Sequence, residues 1–203
     1  MKRLIVAVSG ASGMVYSQRL ICWLVKKGYH VDFLISAPGK KVFEMELGKA
    51  ANDQAGWRKF FKDQKGLLVY HQNDDFNSPL ASGSGARDGM IIIPCSMGMI
   101  GRIANGISSS LIERAADVML KEGKPLALVF RETPLSLIHL ENLTRLKKAG
   151  AIIIPASPGF YHKPEAIEEL VDSLVGRVLK QMGIENELEK EWQAGVPAHL
   201  KKE

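Results

Sequence analysis

The sequence predicts an α/β fold: a single-domain, doubly wound (Rossmann-like), mostly parallel six-stranded sheet with helices on both faces. Three observations predict it. Six short apolar runs, rich in β-branched residues, lie at 4–8, 31–35, 67–70, 90–94, 126–130 and 151–155. They are continuous and do not alternate with polar residues, the pattern of strands buried on both faces, which belong to parallel sheets. Longer helical patterns stand between them, and strand–helix alternation with short connections is the mark of a doubly wound sheet.

Each element has its own signal. The run 4–8 ends at Ser9-Gly10 and is followed by a helical pattern over 14–27. The run 31–35 leads to a helix expected at 40–49. After 67–70 comes a long connection, Asn73 to Gly85, rich in small residues and hydroxyls. The runs 90–94, 126–130 and 151–155 are followed by helices expected at 108–121, 135–148 and 164–182. In the last, Ile167, Leu170, Val171, Leu174, Val175 and Val178 recur at helical spacing, Pro164 suits the first turn and Gly183 the stop. One domain is expected over 1–185. The tail 186–203 reads as polar, with Trp192 and Leu200 standing out, and is expected to dock near the site or on a neighbouring subunit.

Composition narrows the function classes. A chain of 203 residues buries roughly 70% of its unfolded surface on folding and needs no disulfide or structural metal. Apolar residues are 46% and charged residues 24%, which excludes a disordered chain, a collagen or a coiled coil. The net charge of +5 suits an anionic ligand. The basic pairs Lys26-Lys27, Lys40-Lys41, Lys147-Lys148 and Lys201-Lys202 are scattered, so solvated helix ends outweigh a nucleic-acid stripe. Two cysteines, Cys22 and Cys95, do not make a disulfide scaffold or a zinc cluster. Neither a signal-peptide core nor a run of the roughly 20 apolar residues a bilayer span needs is found. A soluble cytoplasmic protein is expected, with no metal, nucleic acid or membrane span.

Several strand ends carry chemistry. Ser9-Gly10-Ala11-Ser12-Gly13 closes the first strand and opens a helix. Backbone amides and the helix dipole form an anion site there. The spacing is not G-x-G-x-x-G, so a mononucleotide fits better than a dinucleotide; an ordinary βα turn fits equally well. Ser36 ends the second strand, a ligand-binding position in open sheets, although capping the next helix is its commoner role. Pro94-Cys95-Ser96-Met97-Gly98-Met99 repeats the phosphate-loop logic, with Cys95 assigned to packing because no His adjoins it. Arg131-Glu132-Thr133-Pro134 sets a charged pair at a strand end. A Glu walled by apolar groups has a raised pKa and can shuttle protons; the alternative is a satisfied Arg–Glu pair capping a helix. Tyr161, after Pro158-Gly159-Phe160, and Arg177 can donate to a phosphate, and Lys121 and Arg114 add charge on the helix at 108–121. Taken singly, each reads as a surface cation.

Together these segments resemble a known family. Gly10-Ala11-Ser12-Gly13, Pro79-Leu80-Ala81-Ser82-Gly83-Ser84, Pro94-Cys95-Ser96-Met97-Gly98, Leu111-Ile112-Glu113-Arg114-Ala115-Ala116-Asp117-Val118, Arg131-Glu132-Thr133-Pro134-Leu135 and Pro158-Gly159-Phe160-Tyr161 look like the UbiX-type flavin prenyltransferases. The resemblance implies transfer of a dimethylallyl group from dimethylallyl monophosphate to N5 and then C6 of reduced FMN, without a metal. The product, prenylated FMN, serves UbiD-type decarboxylases. It implies that Gly10, Ala11 and Ser12 hold FMN with Ser36, Ser96, Met97, Gly98, Met99 and Arg131. Tyr161, Arg177 and Lys121, helped by Arg114, hold the prenyl phosphate. Glu46 matches an active-site acid, Glu132 the acid/base residue, and Ser12 a proton relay. Trp192 matches an aromatic that closes over the site. The family assembles as dodecamers with sites at subunit boundaries.

The implied chemistry suits these residue types. Phosphate leaves readily only when its charge is met by charge-assisted hydrogen bonds. An apolar pocket excludes water that would trap an allyl cation. Two alternatives stand beside this reading: a non-catalytic flavin-binding subunit of a decarboxylase complex, and a flavin-dependent cysteine decarboxylase. The second needs an early His and an Asn-bearing loop, and here the first helix has no His and the loop at 94–98 no Asn.

Overall fold

The computed structural model describes residues 2–48 and 50–189. Strands β1 (Arg3–Val8), β2 (His30–Ile35), β3 (Leu68–Tyr70), β4 (Gly89–Cys95), β5 (Leu126–Phe130) and β6 (Ile152–Pro155) form one sheet in the order β3-β2-β1-β4-β5-β6. Every adjacent pair is parallel. The chain winds outward from β1 in one direction and from β4 in the other, so the topological switch falls between β1 and β4. Leu4 pairs in register with Val31 on β2 and with Gly89 on β4.

Helices α1 (Met14–Lys26), α2 (Ala37–Leu47), α3 (Gln54–Phe60) and α7 (Ile167–Gln181) cover one face. Helices α4 (Met97–Ala104), α5 (Leu111–Lys121) and α6 (Leu137–Lys148) cover the other. The split follows the two-residue period of β1: Leu4, Val6 and Val8 enter the first core, Ile5 and Ala7 the second. Each fully buried large side chain contributes about 1.5–3 kcal/mol relative to exposure.

The structure moves several helix boundaries. Helix α2 begins at Ala37, three residues before the expected 40, because Ser36 caps it and Pro38 suits its first turn. Helix α5 begins at Leu111 behind the Ser110 cap, and α6 at Leu137 behind Ser136 and His139, which form a capping box. Helix α7 begins at Ile167, so Pro164 lies outside its first turn. Two helices were not expected at all. Helix α3 sets Trp57 edge-on to Phe33 of β2, with ring centroids 4.9 Å apart. Helix α4 occupies Met97–Ala104, where a phosphate-type loop was expected.

The long connection between β3 and β4 is not a free loop. It forms two 3-10 turns, Pro79–Ala81 and Gly83–Gly85, and buries Leu80 in the second core. It lies over Asp32 of β2, whose side chain is 0% exposed. Asp32 accepts from Arg3 Nε at 2.8 Å and Arg87 Nε at 2.6 Å, and faces His71 Nε2 at 2.7 Å. The other ring nitrogen of His71 faces Ser78 Oγ at 3.1 Å. Burial alone would raise the Asp32 carboxyl; hydrogen bonds from His71, Arg3 and Arg87 outweigh it and hold it well below the usual carboxylate range.

Leu188, within the expected tail, is buried in the first core, as is Ile184 just before it. Trp192 and Leu200 lie outside the described residues. No helix among the described residues is long and apolar enough to cross a membrane.

Candidate functional site

Three strand ends are knitted together at the switch point. Ser9 N donates to Pro94 O at 3.1 Å and Ser96 N to Ser9 Oγ at 2.8 Å, joining β1 to β4. Ser36 N donates to Val8 O at 2.9 Å, joining β2 to β1. From these ends start α1, α2 and α4, so three helix N-termini gather at one edge of the sheet and make it attractive to anions. Ser36 Oγ accepts from Gly39 N at 3.0 Å and Ser96 Oγ from Met99 N at 3.3 Å. Both serines therefore take the capping role while lining the same edge. Met97, Gly98 and Met99 form the first turn of α4.

The turn Gly10-Ala11-Ser12-Gly13 is shaped by its glycines. A Cβ on Gly10 would stand 2.6 Å from Pro38 Cβ, so only glycine lets α2 approach. Gly13 has φ 109° as the α1 N-cap, a left-handed conformation that disfavours other residues. No side chain of the turn caps α1; Glu46 does so from α2. Its carboxylate accepts from Gly13 N at 3.0 Å and Met14 N at 2.8 Å. The turn thus already holds an anion of the chain's own making, and Ser12 is exposed beside it.

Arg131 and Glu132 follow β5, and Phe160 and Tyr161 follow β6, all at this carboxyl edge. Glu132 is exposed and accepts from Thr133 N at 3.1 Å. The expectation that it is walled by apolar groups is not met among the described residues of one chain, because β5 ends before it and none of their helices covers it. Nor do Arg131 and Glu132 form an ion pair among the described residues. Tyr161 is 81% exposed. Cys95 is fully buried, and burial pushes its thiol up, which suits packing and not nucleophilic attack.

The expected phosphate ligands are not gathered in one chain. Lys121 ends α5 immediately before β5, so it stands at the amino edge of the sheet, opposite Tyr161. Its Nζ is 3.6 Å from Glu122 Oε1. Arg114, two turns earlier, donates from Nε to Ala81 O at 2.9 Å and from Nη1 to Asp117 Oδ2 at 2.8 Å. Arg177 lies ten residues into α7, roughly 15 Å along its axis from the carboxyl edge, and donates to Glu189 Oε1 at 3.2 Å. Among the described residues no group of three or more His, Cys, Asp or Glu is placed to hold a metal.

The reading from sequence missed the strand-joining role of Ser9, the Asp32 cluster and Glu189. Asp32 was the readable signal: a charge inside an apolar strand announces a buried ion pair.

A parallel 3-2-1-4-5-6 sheet with three helix N-termini at its switch point defines a nucleotide-binding α/β protein. The flavoprotein family matches residues 1–179. The flavin prenyltransferase UbiX of Halalkalibacterium halodurans is 48% identical over 192 residues, covering 92% of this chain and 91% of its own. Among solved structures, AnUbiX in complex with FMN and dimethylallyl pyrophosphate superposes with a TM-score of 0.85 at 35% identity, covering 95% of this chain and 97% of its own. A dodecameric FMN-dependent UbiX-like decarboxylase from Escherichia coli O157:H7 gives a TM-score of 0.84 at 37% identity, covering 94% and 99%. The chain belongs to the flavoprotein family and, within it, to the UbiX flavin prenyltransferases.

Proposed function

We propose that the chain joins the dimethylallyl group of dimethylallyl monophosphate to N5 and C6 of reduced FMN, making prenylated FMN for a UbiD-type decarboxylase. The observation that carries this is the sheet edge where α1, α2 and α4 begin together, with Glu46 held by Gly13 and Met14. The positive ends of three helices meeting there supply a field that favours a flavin phosphate. The complex of AnUbiX with FMN and dimethylallyl pyrophosphate supports FMN together with a phosphorylated dimethylallyl donor.

In this reading Gly10, Ala11, Ser12, Ser36, Ser96, Met97, Gly98, Met99 and Arg131 position FMN, which when reduced supplies the electron-rich ring for carbon–carbon and carbon–nitrogen bond formation. Tyr161, Arg177, Lys121 and Arg114 meet the charge of the departing phosphate. Glu132 removes the C6 proton, Glu46 acts as a second acid beside the turn, and Ser12 relays protons.

Because Lys121 and Tyr161 sit at opposite sheet edges, a complete phosphate site needs more than one copy, and the copies closing over Glu132 supply its apolar walls. Exposed Leu137, Ile138, Phe160 and Tyr161 favour such an assembly, larger than a dimer and of the dodecameric kind found in the Escherichia coli relative.

Mass spectrometry of the flavin after incubation of reduced FMN with each donor tests the reading. Monophosphate is expected to give a flavin heavier by one dimethylallyl unit, and an unchanged flavin with both the monophosphate and the pyrophosphate would overturn it.

A further inference from the structure

We propose that Glu189 is a counter-anion that holds Arg177 in place between turnovers and surrenders it to the donor phosphate, so that the segment 184–189 sets phosphate affinity. This rests on the reading of Arg177 as a phosphate ligand.

After α7 the chain turns at Gly183, with φ 66°, and folds back over the same helix. Ile184 and Leu188 anchor the return in the core. The Asn186 side chain fixes its path. Nδ2 donates to Gly176 O at 3.0 Å, and Oδ1 accepts from Leu188 N at 3.0 Å and Glu189 N at 3.2 Å. Gly176 makes the approach possible: a Cβ there would stand 2.4 Å from Glu189 N and 2.9 Å from Asn186 Oδ1. Glu187 fastens the outer side, accepting from Trp23 Nε1 at 3.1 Å and pairing with Lys27 Nζ at 3.0 Å.

All of this delivers one carboxylate to one place. Glu189 Oε1 is 3.2 Å from Arg177 Nη1, and Oε2 is 3.4 Å from Lys180 Nζ. The Glu189 side chain is 18% exposed and that of Arg177 is 56% exposed, so the acid is fixed while most of the guanidinium faces outward. Among the described residues Arg177 spends one of its five donors, on Glu189, and a one-armed, exposed pair is weak. A phosphate offers bidentate, charge-assisted bonds and displaces it. The carboxylate therefore pre-orients the arginine, limits how tightly any phosphate binds, and speeds release of the inorganic phosphate left by transfer.

The test titrates inorganic phosphate, without turnover, into the assembled, FMN-loaded protein by calorimetry, and then measures phosphate inhibition of the reaction. Glu189→Gln keeps the shape and removes the charge. It is expected to bind phosphate about three- to fivefold more tightly, with a matching drop in the inhibition constant and unchanged FMN affinity. Gly176→Ala keeps the carboxylate but displaces its backbone, and is expected to tighten phosphate in the same direction. A Glu189→Gln protein that binds phosphate no tighter than wild type overturns the proposal. Arg177→Ala separates the underlying reading: it is expected to weaken phosphate at least tenfold, and unchanged binding would remove Arg177 from the phosphate site itself.

Discussion

The Glu46 carboxylate lies 2.8 Å from the backbone N–H of Met14, so a residue near the end of α2 caps the start of α1. The bond ties two helices together at the turn that is proposed to receive FMN. Glu46→Ala is expected to lose about 0.5–1 kcal/mol of stability in urea denaturation, the usual cost of a lost cap. Glu46→Gln should keep most of that stability and lose prenyl transfer, which separates the cap from the acid.

A carboxylate at position 12 would meet both the incoming phosphate and Glu46. Ser12→Asp is expected to reduce FMN affinity by at least about tenfold through like-charge repulsion, as read by flavin fluorescence. Full FMN occupancy in that variant would move the ligand away from this turn.

Glu132 and Arg177 are assigned to different steps. Glu132→Gln is expected to bind FMN and donor normally and to make the final ring system more slowly, by on the order of 10²–10⁴ fold. Arg177→Ala should raise the KM for the donor and leave FMN binding unchanged. Rapid mixing with reduced FMN, followed by mass and absorbance, distinguishes them. Normal ring closure in the Gln variant would leave the departing phosphate as the base.

The Asp32 cluster makes an acid-stability prediction. Its folded carboxyl titrates below the unfolded value of about 3.9, so below that pH the unfolded chain binds a proton that the folded chain does not. Stability from Asp32 is therefore present above about pH 4 and is lost as pH falls further. Asp32→Asn strands Arg3 and Arg87 and is expected to cost about 3 kcal/mol at pH 7. Denaturation at pH 7 and pH 3 should show a smaller acid loss in the Asn variant than in wild type.

What could be read from the sequence depended on how local its cause was. The six strands were legible because each is an apolar run, broken only by Asp32 in β2, and the turn at Gly10–Gly13 because its residue types are set by local backbone geometry. Helix α3 was hidden by its shortness and by Gly56 inside it. Helix α4 was hidden because Ser96 and Gly98 at its start imitate a phosphate loop. The partners of Asp32 were out of reach: His71 and Arg87 lie 39 and 55 residues away, and only the β3–β4 connection folding over β2 brings them in. The apolar surroundings expected for Glu132 were misplaced because one strand end does not supply them.

The position of Lys121 at the amino edge of the sheet has a genetic consequence. If every reaction centre takes Glu132 from one chain and Lys121 from another, two dead variants can repair each other. Glu132→Gln and Lys121→Ala, unfolded and refolded together in equal amounts, should regain about one quarter of wild-type activity, because that fraction of randomly assembled centres draws an intact residue from both chains.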